Sequence, residues 1–194
     1  MKDTIFALST APGVSALAVL RISGPDAFSA LRKITDGVLP IPRVATFKKL
    51  VWGGEIVDEC IVIRFNSGSS FTGEQVVELQ THGSPAVIKK IFSIFLEKEF
   101  SNLRPAEEGE FTRQAFYNGK MDLTQVEGLA DLLRAETEIQ RKWSMDSYSG
   151  GLSKDIRKWR EILLETLSDL EACIDFSDED IEPINVSKKI DQLM

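Results

Sequence analysis

Residues 3–27 read DTIFALSTAPGVSALAVLRISGPDA, and this segment decides the fold class. It contains two short apolar runs of strand length, residues 4–8 and 16–21, joined by a linker rich in turn-forming residues. A helix-start pattern follows at residues 23–26, where a serine precedes a proline and an aspartate, and we expect a helix to about Ile34. This order of strands and helix predicts a layered domain that contains a sheet.

The chain continues in the same manner up to about residue 118. Residues 47–65 predict two strands, and residues 75–81 predict another after a Gly/Ser-rich loop at 66–73. One face of the second of these strands is entirely apolar, with Ile61, Ile63 and Phe65. A turn then leads into a helix expected from residue 86 to about residue 99, whose apolar residues recur at helical spacing. Strand, turn and helix recur twice, so residues 1–118 are predicted to form a layered domain of mixed α and β structure, which we class as α+β.

The rest of the chain is rich in helix-forming residues. Two long amphipathic helices are expected at residues 121–149 and 152–175, with a turn or kink at the Gly150-Gly151 pair between them. Their apolar stripes are expected to pack on each other, on further chain or on a partner. The sequence reaches Met194 inside another helical pattern, so we expect a truncated helical domain that continues beyond it. The predicted second domain covers residues 119–194.

The composition limits the classes of function. The formal net charge is −7, from 30 acidic and 23 basic residues, which argues against a main nucleic-acid-binding surface because such a surface needs a basic footprint. No apolar run approaches a membrane span, and the amino-terminal residues do not form a secretory signal, so we expect a cytoplasmic protein without membrane contact. Cys60 and Cys173 lie far apart and the chain has one histidine, so no metal site is expected and both thiols are expected to be buried or idle.

Three segments carry incomplete versions of known site motifs. Residues 68–73 have the glycine spacing of a nucleotide-binding loop, but Glu74 stands where a lysine must contact the phosphates, so nucleotide binding by this loop is excluded. His82 lies outside any nucleophile motif, and a structural hydrogen bond to turn backbone is the favoured role. The acidic run at 175–182 lacks the glycine and the final glutamate of a calcium loop, so a solvated segment is favoured there.

Three charged residues interrupt apolar or tightly turned segments: Arg21, Glu78 and Lys120. A carboxylate within a strand needs hydrogen-bond donors, and a pterin supplies them as a planar pair, its ring N–H and its exocyclic amino group. Arg21 and Lys120 would then meet the carboxylates or carbonyl groups of a folate. Spacing alone favours the alternative, which is a structural Arg–Glu pair with a solvated lysine.

Four long segments carry a family resemblance. They are residues 3–27, SFTGEQVVELQTHGSPAV at 70–87, GEFTRQAFYNGKMDLTQVEGLADLLRAET at 109–137 and LEACIDFSDEDI at 170–181. Together they resemble the MnmE/TrmE family of tRNA-modifying GTPases. The segments occur in the order that they have in the family, and the resemblance covers essentially the whole chain.

The resemblance implies a fold and a cofactor. It implies a tetrahydrofolate-binding, dimer-forming domain with a mixed sheet, similar to the aminomethyltransferases, followed by part of a helical domain. In the family the folate, a 5-formyl or 5,10-methylene derivative, supplies a one-carbon unit and contacts the residues that match Arg21, Glu78 and Lys120, so these three are expected to bind it. One departure is at residues 105–110, where Glu108 stands before Gly109 and is expected to alter the loop leading towards Lys120.

The resemblance also implies an activity for a longer protein. The family modifies the wobble uridine of certain tRNAs at C5, in complex with the flavoprotein MnmG/GidA, and hydrolyses GTP with magnesium and potassium. The GTPase centre of the family lies beyond Met194, so this chain alone is not expected to catalyse these reactions. Two alternatives remain open: a dimerisation scaffold that binds no folate, and a standalone one-carbon transferase of the aminomethyltransferase type.

Overall fold

The computed structural model describes residues 3–175, which divide between Met121 and Asp122 into two compact units. The acidic run after Asp175, the helical pattern near Met194 and the side chain of Cys173 lie outside the described residues. No helix in the described part of the chain is long and apolar enough to cross a membrane.

The first unit contains a mixed sheet of six strands and three α-helices among its described residues. Its elements are β1 (Thr4–Leu8), β2 (Ser15–Ser23), α1 (Ala27–Ile34), β3 (Thr46–Trp52), β4 (Glu55–Phe65), β5 (Val76–Gly83), α2 (Pro85–Phe95), β6 (Leu103–Pro105) and α3 (Glu110–Tyr117). The strands lie in the order β3-β4-β5-β2-β1-β6. Strand β6 is parallel to β1, and all other neighbouring strands are antiparallel. The predicted α+β class and the mixed sheet are confirmed.

The core lies between one face of the sheet and helices α1 and α2. Alternation along β2 turns Leu20 and Ile22 towards these helices, and both are fully buried. The ring of Phe6 in β1 meets Phe92 and Phe95 of α2 edge-on, at centroid distances of 5.2 and 5.1 Å. Each such buried side chain contributes about 1.5–3 kcal/mol. This packing makes the sheet a fixed platform, whose other side we call the outer face.

The outer face consists of the side chains that alternate with the core residues. Across β3, β4, β5 and β2 it includes Phe47, Ile61, Ile63, Glu78, Gln80, Leu17, Val19 and Arg21. The apolar face predicted for β4 belongs to this side, whereas Cys60 and Val62 point into the core and are buried. Pattern alone could not tell which side the helices would cover.

Three details of the first unit differ from the predictions. His82 lies within β5, where its backbone N–H and ring Nδ1 contact the Asp58 carboxylate at 2.9 and 2.7 Å; its hydrogen-bond partner is thus a side chain and not turn backbone. Helix α2 ends at Phe95, and a short 3-10 turn at Lys98–Phe100 replaces the last predicted turn. Strand β6 and helix α3 were not predicted; β6 has only three residues and α3 has eight.

The described residues of the second unit, 122–175, form helices and the turns between them. The helix predicted at residues 121–149 is two helices, α4 (Leu123–Arg134) and α5 (Glu138–Tyr148). Thr137 interrupts it, since its hydroxyl accepts a bond from the backbone N–H of Gln140 and the Gln140 side chain accepts one in return, a capping box that starts a new helix.

The turn predicted between the long helices is confirmed, with Gly150 at φ +89°. The following helix, α6 (Gly151–Asp175), is continuous as predicted. Its apolar stripe stays partly exposed within this unit, from 39% at Leu152 to 74% at Ile174.

Candidate ligand site on the outer face

Two of the predicted site residues meet at the middle of the sheet. Arg21 of β2 and Glu78 of β5 are directly opposite each other in the ladder. The Arg21 Nε and Nη2 atoms donate to Glu78 Oε1 at 3.0 and 2.7 Å. Their side chains are 24% and 18% exposed. Sheet register, which is set by distant parts of the chain, therefore builds a half-buried ion pair on an otherwise largely apolar face.

The geometry of this pair leaves one carboxylate oxygen uncommitted to Arg21. Both donors go to Oε1, although the more common fork arrangement gives one donor to each oxygen. A carboxylate oxygen has about two lone-pair sites, so Arg21 fills Oε1 and leaves Oε2 as an acceptor. An ionised carboxylate in this state can bind a ligand that presents an N–H group.

Two aromatic rings flank the Arg21 guanidinium. Its Cζ lies 5.3 Å from the ring centroid of Phe71, in the loop between β4 and β5, and 5.5 Å from that of Phe111 in α3. Both distances are within cation–π range. These two phenylalanines were not among the site residues predicted from the sequence. The available signal was an aromatic residue inside a loop of glycine, serine and threonine.

Buried hydroxyl groups fix the loop that carries Phe71. Ser23 Oγ lies 2.7 Å from Thr72 Oγ1 and donates to Glu74 Oε2 at 2.9 Å. The hydroxyl of Ser70 donates to the carbonyl oxygen of Glu74 at 2.6 Å. Ser23 and Thr72 are fully buried. The loop that has nucleotide-binding glycine spacing is thus a folded-back segment whose Glu74 anchors it to β2.

Lys120, the third predicted residue, contacts the same loop. Helix α3 ends in a turn with Gly119 at φ +66°, after which the Lys120 N–H donates to the carbonyl of Ala115 at 2.8 Å. The Lys120 ammonium group donates to the carbonyl oxygen of Gly68. Asn118 Nδ2 donates to the carbonyl of Thr72 at 2.6 Å. The structure therefore joins Arg21 to Glu78 directly, and connects Lys120 to this pair only through the loop.

The start of helix α3, which carries Phe111, is held by a buried carboxylate. Glu110 has a side chain that is 4% exposed, and it accepts two bonds from Arg104, at 2.6 and 2.9 Å. It also accepts the backbone N–H of Glu107 at 2.8 Å. The hydrogen bonds from Arg104 lower the pKa of Glu110 to about 2. The segment in which this sequence departs from the family pattern is thus tied to the end of β6.

We expect Glu110→Gln to lower the free energy of unfolding by about 2 kcal/mol at pH 7, because it removes the charge from a buried ion pair whose arginine is partly exposed. The folded-state pKa lies below the ordinary value of 4.5, so the contribution is complete above pH 4.5 and is lost as the pH falls towards 2. Urea unfolding at pH 7, 5 and 3.5 measures this. The exposed Glu138→Gln serves as control, and a difference between wild type and Glu110→Gln that does not shrink at pH 3.5 contradicts the assignment.

The remaining reactive groups offer little chemistry. Burial raises the pKa of the Cys60 thiol to about 12, so it stays protonated and inert, as predicted. Among residues 3–175 no group of three or more His, Cys, Asp or Glu side chains is arranged to hold a metal ion. The arrangement on the outer face is suited to binding.

Comparison with known proteins finds relatives along nearly the whole length of the chain. Residues 4–120 match the family described as the GTP-binding protein TrmE N-terminus, and residues 123–194 match the MnmE helical domain. The tRNA modification GTPase MnmE of Cereibacter sphaeroides is 45% identical over 193 residues, which are 99% of this chain and 44% of the relative. The proteins of the same name from Dinoroseobacter shibae and Anaplasma phagocytophilum are 46% and 48% identical, over 99% and 91% of this chain and 44% and 39% of theirs.

The chain spans less than half the length of these curated relatives. The two family matches meet next to the division between the compact units, and their order along the chain is that of the amino-terminal and helical domains. The chain belongs to the MnmE family of tRNA modification GTPases and carries its amino-terminal domain together with sequence of its helical domain.

Proposed function

We propose that this chain is the tetrahydrofolate-binding, dimer-forming segment of a GTPase that modifies the wobble uridine of tRNA at C5. The cofactor site is built on Arg21, Glu78 and Lys120. When bound, a 5-formyl or 5,10-methylene tetrahydrofolate supplies the one-carbon unit. GTP, magnesium and potassium, the flavoprotein partner MnmG/GidA and tRNA belong, in this proposal, to the full-length protein in the cytoplasm.

The half-buried carboxylate of Glu78 is the observation that carries this proposal. A pterin edge presents N–H donors, and Glu78 Oε2 is an acceptor that Arg21 leaves uncommitted. The rings of Phe71 and Phe111 lie beside this carboxylate's partner and give the site an aromatic lining. Lys120 supplies a positive charge beside Gly68, in the loop between β4 and β5, and this charge suits the carboxylates of a folate tail. The residues present therefore fit the cofactor.

Glu78→Gln is expected to weaken the binding of 5-formyltetrahydrofolate at least tenfold. The glutamine keeps the shape of the side chain and its acceptor for Arg21, but it places an NH₂ donor where Oε2 accepts. The loss of one hydrogen bond to a charged group costs about 1.5–3 kcal/mol. Isothermal titration calorimetry on the chain, with circular dichroism to verify folding, measures the change.

The matched control is Glu59→Gln. Glu59 also lies in the sheet and has an ion-pair partner, Lys49 Nζ at 3.0 Å, but its side chain is 45% exposed. We expect this variant to bind folate like the wild type. A folded wild-type chain that releases no heat with the folate, or a Glu78→Gln variant that binds unchanged, contradicts the proposal and leaves the scaffold alternative.

The dimer-forming part of the proposal rests on exposed apolar residues of the outer face. Phe47 and Ile61 are direct cross-strand partners in β3 and β4, and they are 61% and 41% exposed. Leu17 of β2 lies on the same face and is 60% exposed. Strand β5 lies between Ile61 and Leu17 and presents Gln80 and His82 on this face, so the Phe47–Ile61 pair is the apolar centre of the surface. Exposed apolar side chains of this kind mark protein interfaces. A second copy of this domain is the occupant that we propose.

Phe47→Asp is expected to convert a dimer of this chain into a monomer, because it places a charge in the middle of an apolar contact. Sedimentation equilibrium over a range of protein concentrations measures the state of association. Leu96→Asp is the matched control, since Leu96 is also 61% exposed but follows helix α2 on the other side of the sheet. A Phe47→Asp variant that associates as strongly as the wild type excludes this face as the interface.

A further inference from the structure

We propose that the cleft between the end of α4 and helix α5 binds one unstacked nucleotide of a single-stranded RNA segment. The cleft has a volume of about 270 Å³, and all the residues that line it belong to the second unit. The inference extends the proposed function, in which tRNA belongs to the full-length protein, by assigning one RNA contact to residues of this chain. It does not depend on folate binding.

An exposed tryptophan ring forms one wall of the cleft. Trp143 of α5 is 74% exposed, and no aromatic ring among residues 3–175 packs against it. Stacking of a base on such a ring stabilises the binding of single-stranded RNA, and it tolerates every base because each one has a π face. Trp143 therefore provides a stacking surface that the described part of the chain leaves open.

Polar groups with unused hydrogen-bonding capacity line the rest of the cleft. Asp131 and Arg134, near the end of α4, are exposed, and neither side chain has an ion-pair partner within the described ranges. Ser144 of α5 is only 8% exposed, and its hydroxyl forms no hydrogen bond with another described residue. A hydroxyl buried to this degree costs free energy unless a partner is supplied, and a polar ligand in the cleft supplies one.

The capping box of α5 prepares a further hydrogen-bond donor. The Oε1 atom of Gln140 accepts the backbone N–H groups of Glu136 and Thr137, at 3.0 and 2.9 Å. The NH₂ group of the same amide has no partner in the part of the chain that the structure describes, and Gln140 lines the cleft. The start of the helix thus holds this donor in place before a ligand binds.

A nucleotide is the ligand class that matches these groups together. Its base stacks on Trp143, its amino or ring N–H groups donate to Asp131, and its phosphate carries the charge that Arg134 binds. An apolar side chain of a protein partner would also cover the tryptophan, but it would leave the polar groups of the cleft without partners.

The charge of the cleft sets the size of the contact. Its single arginine suits one phosphate. The inference therefore agrees with the net charge of −7, which argues against an extended basic surface for nucleic acid.

Tryptophan fluorescence locates the bound RNA. Titration of the chain with hexacytidylate is expected to quench the fluorescence saturably, because a base stacks on Trp143. The chain has three tryptophans, so the variants identify the one that responds. Trp143→Leu is expected to remove the quenching. Trp159→Leu, which removes a 42% exposed ring of α6, is the matched control and is expected to retain it.

The anisotropy of fluorescein-labelled hexacytidylate measures the affinity. We expect Trp143→Leu to weaken binding at least about tenfold, as for the loss of one base–aromatic stack. Arg134→Gln is expected to lower the slope of log K against log salt by about 0.7, the value for one phosphate of a single strand. The control Arg32→Gln, an exposed arginine of the first unit, is expected to leave the slope unchanged.

Asp131→Asn separates contact with the base from general electrostatics. Removal of a negative charge strengthens RNA binding at a position that the RNA does not contact. If Asp131 accepts hydrogen bonds from the base, the variant weakens binding severalfold instead. Circular dichroism of every variant verifies that it is folded.

The outcomes distinguish the inference from its alternatives. Quenching that depends on Trp143, a reduced salt slope for Arg134→Gln and weaker binding by Asp131→Asn support it. Absence of binding to the folded wild-type chain, or binding that Trp143→Leu leaves unchanged, overturns it. Cytidine monophosphate that binds as tightly as hexacytidylate overturns the assignment to RNA, because a free nucleotide is then sufficient. The folate titration is a separate measurement, so the proposed function can fail or stand independently.

Discussion

Gly24→Ala is expected to lower the free energy of unfolding of the first unit by at least about 3 kcal/mol. Gly24 has φ +137°, a conformation that side chains with a Cβ rarely adopt. A Cβ built there would lie 2.6 Å from the Cα of Thr4, which is backbone. The strand cannot move aside, because the hydroxyl of Thr4 accepts the N–H of Asp26 and its neighbour Ile5 pairs with Ser23. Overpacking and backbone strain therefore add.

Urea unfolding measured by circular dichroism tests this prediction, with Gly37→Ala as the matched control. Gly37 also has a positive φ, +80°, but no atom lies within 4 Å of a Cβ placed there. We expect the control to lose only the conformational term, about 1 kcal/mol. Equal losses in the two variants would show that β1 relaxes around the new methyl group.

Gly128→Ala is expected to lower the stability of the helical unit by about 2–3 kcal/mol. In an exposed helix this change stabilises by up to about 1 kcal/mol, because alanine is the better helix former. At Gly128, however, a Cβ would lie 2.6 Å from the backbone nitrogen of Tyr148 and 2.9 Å from the backbone carbon of Ser147. The backbone of α5 lies against Gly128 of α4, so the methyl group would force the two helices apart.

Whether Gly128→Ala lowers or raises the stability of the helical unit decides between the steric clash and helix propensity. The control Glu127→Ala, at the exposed neighbouring position of α4, is expected to change stability by less than about 0.5 kcal/mol. Thermal unfolding followed by circular dichroism at 222 nm measures both variants. A Gly128→Ala variant that is more stable than the wild type would mean that the two helices are not in contact at this glycine.

Periodicity predicted most of the fold because it depends on neighbours in sequence. The apolar run at residues 16–21 and the glycine pair at residues 150–151 are local signals, and the strand and the turn that they indicate were both predicted. The break at Thr137 is also local: its capping box was readable in the sequence, but the apolar stripe that continues through it favoured a single helix. At Thr137 the longer apolar periodicity outweighed the capping box, and one helix was predicted where there are two.

The candidate site depended on relations that periodicity does not contain. Arg21 and Glu78 are 57 residues apart, and only the register of β2 against β5 makes them partners. Spacing favoured a structural Arg–Glu pair, which the structure contains, whereas the resemblance to the family named both residues as folate contacts. The rings of Phe71 and Phe111 reach Arg21 from a loop and a helix whose positions follow from buried hydroxyl and carboxylate anchors. Residue type and spacing give no measure of such contacts.

The parallel pairing of β1 with β6 has a consequence for how the chain folds. Strand β1 lies inside the sheet, between β2 and β6, and the Asp3–Arg104 ion pair spans 101 residues of sequence. During synthesis the amino-terminal strand can therefore pair on one side only until the chain has grown past Pro105. Such non-local closure is slow compared with helix formation. On the ribosome, the last strand to emerge completes the sheet that the first strand begins, so the amino-terminal domain matures as a unit and not from its amino terminus forward.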